Sequence, residues 1–181
     1  MKILIFIVAL ATSLQAQPLV LEEGFTSKLE AMQLEFVAPV DGNFKLRPSD
    51  DLRRLHIDQT LWSRSEKLEV RIGLLQPEDL GNLIELPDMA ARQLVMDLAS
   101  NEETAPPISV HRFGEEEMKI FQADWARQYT FQPKQHQIPY RIVQLTALFK
   151  RGRGMAYLLL LFDHAPDTLD SRQQMLRFAE E

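Results

Sequence analysis

The sequence predicts an α+β fold in which an antiparallel β-sheet is flanked by helices, an α/β/α sandwich. Three observations lead there. Period-two runs of apolar residues recur along the chain, as strands require. Consecutive runs are separated by short turn-rich breaks, which favour hairpins and antiparallel pairing. Two stretches with helical spacing, one starting near Pro87 and one closing the chain, are placed to cover the sheet.

The first strand signal is MQLEF, where Met32, Leu34 and Phe36 share a face. PVDGN, from Pro39 to Asn43, interrupts it. KLEVRIGL then places Leu68, Val70, Ile72 and Leu74 on one face and Lys67, Glu69 and Arg71 on the other, the pattern of a half-buried strand. QPEDLGN is turn-rich and admits a short helical turn from Pro77 to Leu83. In ELPDMAARQLVMDLAS, Pro87 suits a first helical turn with Asp88 beside it. Ala91, Leu94, Val95 and Leu98 follow as an i, i+3, i+4, i+7 stripe. Glu115, Glu116 and Glu117, after Gly114, read as a solvated turn between strands.

IFQADWARQYTF reads as a strand whose one face carries Phe121, Ala123, Trp125, Tyr129 and Phe131, with Arg127 interrupting it. RIVQLTALF puts Val143, Leu145, Ala147 and Phe149 on one side. KRGRG is a hairpin turn, because Gly152 and Gly154 can take the positive φ angles a tight turn needs. Arg151 and Arg153 are expected to keep its tip wet. MAYLLLLF is apolar on both faces, as befits a central strand covered from both sides. The final stretch, DTLDSRQQMLRFAEE, reads as a helix capped by Asp167 or Thr168, with Leu169, Gln173, Leu176 and Phe178 on a weak apolar face.

Residues 1–16, MKILIFIVALATSLQA, have a charged start at Lys2, an apolar core of about a dozen residues, and small Ala16 before Gln17. This is the layout of a cleaved secretory signal peptide, too short in its apolar part for the ~20 residues that cross a bilayer. Cleavage between Ala16 and Gln17 leaves one α+β domain, 17–181, with no stable membrane anchor. The expected location is the periplasm or outside the cell. The whole chain of 181 residues has a net charge of −6. Without Lys2 the domain keeps 19 basic against 26 acidic residues, a net charge of −7. That balance disfavours nucleic acid as a general partner. There is no cysteine, which removes disulfides, thiol catalysis and thiolate metal sites together.

Three stretches resemble the Mog/PsbP/DcrB-like superfamily. They are FVAPVDGNF from Phe36 to Phe44, the helix from Pro87 to Ser100, and YRIVQLTALFKRGRGMAYLLLLFDHA followed by the closing LRFAEE. The resemblance covers about Met32 to Glu181. It implies an antiparallel sheet between helices and a binding or accessory role with no shared active site. It resembles the exported DcrB-like group most, although this chain lacks the lipobox cysteine often found there.

Motifs for chemistry are sparse. His56, His111, His136 and His164 show no metal-ligand spacing, and no serine stands in a GxSxG or SxxK setting. KRGRG lacks the GxxxxGK[ST] frame of a phosphate loop. No catalytic residue, metal or cofactor is therefore expected. Trp62, Arg127, Arg151 and Arg153 remain as a candidate partner surface, since tryptophan and arginine are enriched where binding energy concentrates. The expected function is an exported non-catalytic accessory protein that engages an envelope protein. Carriage of a small apolar ligand or lipid is the alternative, and a hydrolase assembled from distant residues comes third.

Overall fold

A computed structural model describes residues 19–52, 55–81 and 86–180. The apolar leader and the Ala16–Gln17 junction lie outside the described residues. Seven strands form one fully antiparallel sheet: β2 (Phe44–Arg47), β3 (Gln59–Ser63), β4 (Leu68–Leu75), β5 (Ser109–Arg112), β6 (Trp125–Phe131), β7 (Ile142–Lys150) and β8 (Gly154–Phe162). Their order is β2-β3-β4-β8-β7-β6-β5. A small ribbon pairs β1 (Leu34–Phe36) with β9 (Leu176–Phe178). The helices are α1 (Glu23–Ala31), α2 (Pro77–Leu80), α3 (Pro87–Leu98), α4 (Glu115–Phe121) and α5 (Leu169–Arg172).

The apolar content of β8 explains the order. It is the middle strand of the seven, and every one of its residues is buried. Its odd-numbered residues, Met155 to Leu161, pack with Val143, Leu145 and Ala147 of β7 and with Leu94, Val95 and Leu98 of α3. Its even-numbered residues face a second core built from Phe25 and Leu29 of α1, Phe121 of α4, and Leu34, Leu176 and Phe178 of the ribbon. The sheet is thus covered on both faces, as the α/β/α expectation requires. At the β7–β8 turn, Gly152 has φ +76° and Gly154 φ +110°. A Cβ on Gly154 would also lie 2.3 Å from the Leu75 carbonyl oxygen, so only glycine fits there.

Four expectations change. The closing stretch is not one helix: α5 is a single turn, and Leu176–Phe178 is a strand on β1. Leu176 and Phe178 are buried while Arg177 pairs with Glu35 across the ribbon at 2.7 Å. The closing helix that the superfamily resemblance implies is therefore absent. Glu115–Glu117 are not a turn but the first turn of α4, where acidic side chains complement the helix dipole. The Glu117 carboxylate accepts the Gly114 N–H at 2.8 Å. Phe121 accordingly belongs to this helix, and the strand starts only at Trp125. β4 is buried on both faces rather than one, because it lies beside the central strand. Finally, α1 has no counterpart in the sequence reading.

Candidate functional site

The sheet separates the four residues expected to form a partner surface. Trp62 lies on β3, Arg127 on β6, and Arg151 and Arg153 at the β7–β8 turn. β3 and β6 are four strand spacings apart, ~19 Å at about 4.8 Å per spacing. Arg127 is paired with Asp88 at the start of α3, and its guanidinium sits 5.6 Å from the Trp125 ring. It ties helix to sheet with its side chain only 17 % exposed. Arg153, expected to project into water, donates from Nη1 to the Ala179 carbonyl at 3.0 Å and holds the turn against the end of β9. The exposed Arg151 donates its backbone N–H to Asp124 Oδ2 at 2.8 Å.

Trp62 is different, because the sheet builds a support beneath it. The registers set Trp62 opposite Lys45 on one side and Glu69 on the other. Strand alternation then puts Lys45, Arg47, Thr60, Trp62, Glu69 and Arg71 on one face. The Glu69 side chain is 7 % exposed and sits at the centre. It accepts from Arg71 Nε at 2.8 Å and Nη2 at 2.7 Å, from Arg47 Nη1 at 3.3 Å, and from the Tyr140 hydroxyl at 3.2 Å. Arg47, held from below, lies with its guanidinium carbon 4.0 Å from the Trp62 ring centroid. A contact of this kind is worth about 0.5–2 kcal/mol. Burial, followed by the nearby Glu69 charge, pushes the Tyr140 phenol up to about 12.

Beside this stack is an open hollow of about 500 Å³ lined by Asn43, Lys45, Trp62, Arg64 and Ser65. Arg47 does not line it, so the hollow meets the indole away from the stacked guanidinium. Lys45 and Arg64 are exposed and form no ion pair among the described residues. The loop that carries Asn43 is pinned from below. Buried Arg172 binds Glu66 (Nη2 to Oε1, 2.5 Å) and Asp41 (Nη2 to Oδ1, 2.7 Å), and Ser65 Oγ donates to the Gly42 carbonyl at 2.9 Å. Sequence reasoning missed every partner of Trp62. The one local signal was the alternation in FKLR, which puts Lys45 and Arg47 on a common face.

Two other hollows bear on the alternatives. A cleft of about 800 Å³ is lined by Pro106, Thr130, Gln132, Arg141, Asp163 and His164, among others. Asp163 Oδ1 accepts the Arg141 backbone N–H at 3.0 Å, and His164 makes no hydrogen bond among the described residues. A half-open pocket of about 200 Å³ lies between α2, α3 and the sheet, lined by Leu55, Leu75, Leu80, Ala90, Leu94 and Tyr157 together with the polar Asp79 and Gln93. Burial pushes the Tyr157 phenol far up, and its hydroxyl donates to Met155 Sδ at 3.1 Å. His56 pairs with Asp51 at 2.7 Å and His111 with Glu117 at 3.1 Å. Among the described residues, no group of three or more histidines and acids is placed to hold a metal ion, and no helix is long and apolar enough to cross a membrane. No family model, curated protein or solved structure matches the chain significantly.

Proposed function

We propose that this is an exported, non-catalytic binding protein that engages a protein partner of the cell envelope through the surface around Trp62. One observation carries the reading. A partly exposed tryptophan is stacked by an arginine that is itself held by a buried glutamate. Tryptophan and arginine dominate binding hot spots. A surface whose side chains are already ordered loses less entropy when it binds. The leader with its Ala16–Gln17 junction supports export.

The test is capture from native envelope extract by the processed chain and by Trp62→Ala. The expected result is a protein retained by the first and lost with the second. Equal recovery with both would refute the role of Trp62. N-terminal sequencing of the chain recovered from an exporting cell checks the leader, with Gln17 expected first.

The 200 Å³ cavity supports a second reading, carriage of a small apolar molecule. The pocket is half-open, with Asp79 and Gln93 beside its apolar residues, and sites for larger ligands run to about 300–1,000 Å³. The cavity therefore suits a ring-sized guest rather than a lipid. Native mass spectrometry of freshly purified protein decides: a mass equal to the bare chain removes this reading.

A further inference from the structure

We propose that the partner presents an acidic, extended segment that adds to the free edge of β2 and lays its carboxylates on Lys45 and Arg64. The proposal rests on reading the Trp62 surface as a protein-binding site. β2 ends the seven-stranded sheet and, among the described residues, pairs only with β3. Among the described residues, no hydrogen bond outside the β2–β3 ladder involves the β2 backbone. Its outer N–H and C=O groups are thus a template for another strand.

Charge selects which strand. The chain is acidic overall, with a net charge of −6, yet this corner exposes Lys45, Arg47 and Arg64. Among the described residues, only Arg47 of these has an acidic partner, Glu69. Charged side chains on an edge strand commonly guard against self-association. Here the guard is wholly cationic. A second copy pairing β2 to β2 would set Lys45 and Arg47 against the same residues, and like charges opposite each other are destabilising. An acidic strand meets no such barrier along Phe44–Arg47, while exposed Asp41 and Asp50 flank the edge and confine it to these four residues.

The two faces of β2 define the pattern further. Lys45 and Arg47 point to the Trp62 face, while half-buried Phe44 and Leu46 border the second apolar core. A pairing strand alternates its side chains in the same way. Acidic residues would therefore lie on the Trp62 face and apolar ones beside Phe44 and Leu46. Four residues of β2 span ~13 Å, enough for a segment of about four or five residues.

The experiment uses a fluorescein-labelled peptide of alternating glutamate and valine, with fluorescence anisotropy as the readout on the intact domain. Controls are the same peptide with lysine for glutamate, and one N-methylated on alternate residues to block strand pairing. The protein variants are wild type and K45E/R64E, both changes at exposed, unpaired positions that leave folding intact by circular dichroism. The expected result is binding of the glutamate peptide that weakens about tenfold or more in K45E/R64E, the equivalent of ~1.4 kcal/mol. The lysine peptide should not bind, and N-methylation should weaken binding as strongly as charge reversal. Equal binding by K45E/R64E, equal binding of the lysine peptide, or indifference to N-methylation overturns the proposal. Envelope capture separates it from the broader reading. A partner retained equally by wild type and K45E/R64E overturns this docking edge and leaves the protein-partner reading standing. Peptide binding as expected with no envelope protein captured upholds the edge and refutes that reading.

Discussion

Replacing Glu69 with alanine removes the group on which the Trp62 surface stands. The Glu69 side chain is 7 % exposed and accepts hydrogen bonds from Arg71, Arg47 and Tyr140. Arg71 is 11 % exposed, so its charge would be left largely buried without a partner. Breaking a buried ion pair costs about 3–5 kcal/mol. Arg47 is 42 % exposed and can turn to water, so its share falls in the range of about 0–1 kcal/mol for surface pairs. Partial access for Arg71 lowers its own share, and the expected loss is ~2–3 kcal/mol. For a domain of this size each kcal/mol shifts Tm by about 2–4 °C, so Tm falls by ~4–12 °C.

Thermal melts at neutral pH read the loss, and Glu69→Gln, which keeps an acceptor, should fall between wild type and alanine. A second readout is specific to the site. Tyr140 in the folded chain titrates at about 12 rather than near 10, so its contribution to stability is complete below pH ~10 and is lost as pH rises towards 12. In Glu69→Ala the phenol loses the neighbouring negative charge and titrates lower, though burial keeps it raised. Ultraviolet phenolate titration, assigned by difference from Tyr140→Phe, measures this. A Tm within ~1 °C of wild type together with an unmoved Tyr140 would refute the description of Glu69 as the centre of this surface.

Arg172→Ala strands the mostly buried Glu66 carboxylate and should cost ~2–4 kcal/mol. Arg172 holds the Asp41 carboxyl below its usual range, so that part of the stabilisation is present above pH ~4 and is lost as pH falls further. The gap between the wild-type and variant melting curves should therefore narrow in acid by the Asp41 share. Gly154→Ala forces a Cβ against the Leu75 carbonyl at positive φ and should prevent a cooperative melt, whereas Gly152→Ala, in open space, should cost only ~1 kcal/mol. Leu160→Asp puts a charge into a fully covered strand, and near-ultraviolet circular dichroism should show no fixed tertiary structure. Arg153→Ala loses at least the hydrogen bond to Ala179 and should cost about 1 kcal/mol or more, seen as a fall of at least ~2 °C in Tm.

The elements legible in the sequence are those whose burial leaves a long periodic trace. Leu68 to Leu74, Val143 to Phe149 and the Ala91–Leu98 stripe each show one face repeated at least four times. The missed elements are short. α1 buries only Phe25 and Leu29, one i, i+4 pair in nine residues. The Glu115–Glu117 run carried a usable helix-start signal, because acidic residues favour a first turn, but charge runs more often mark solvated turns. Leu176 and Phe178 do alternate around Arg177, yet three residues among good helix formers cannot outweigh helix propensity. Only β1, paired through Glu35 some 142 residues away in sequence, makes that segment a strand.

The candidate site divides in the same way. Trp62 was recognisable as a residue type suited to binding, because that depends on its own ring. Its grouping with Arg127, Arg151 and Arg153 was not a matter of local sequence, and the strand order sets them apart. The chain's own pattern of apolar residues determined an α+β class, a central β8 and the need for cover on both faces, since burial of long stripes dominates folding. Strand register and the closing ribbon decided the rest. They brought Glu69 to Tyr140 across 71 residues and Arg172 to Glu66 across 106. Such pairings depend on which strands become neighbours, and no local periodicity encodes that choice.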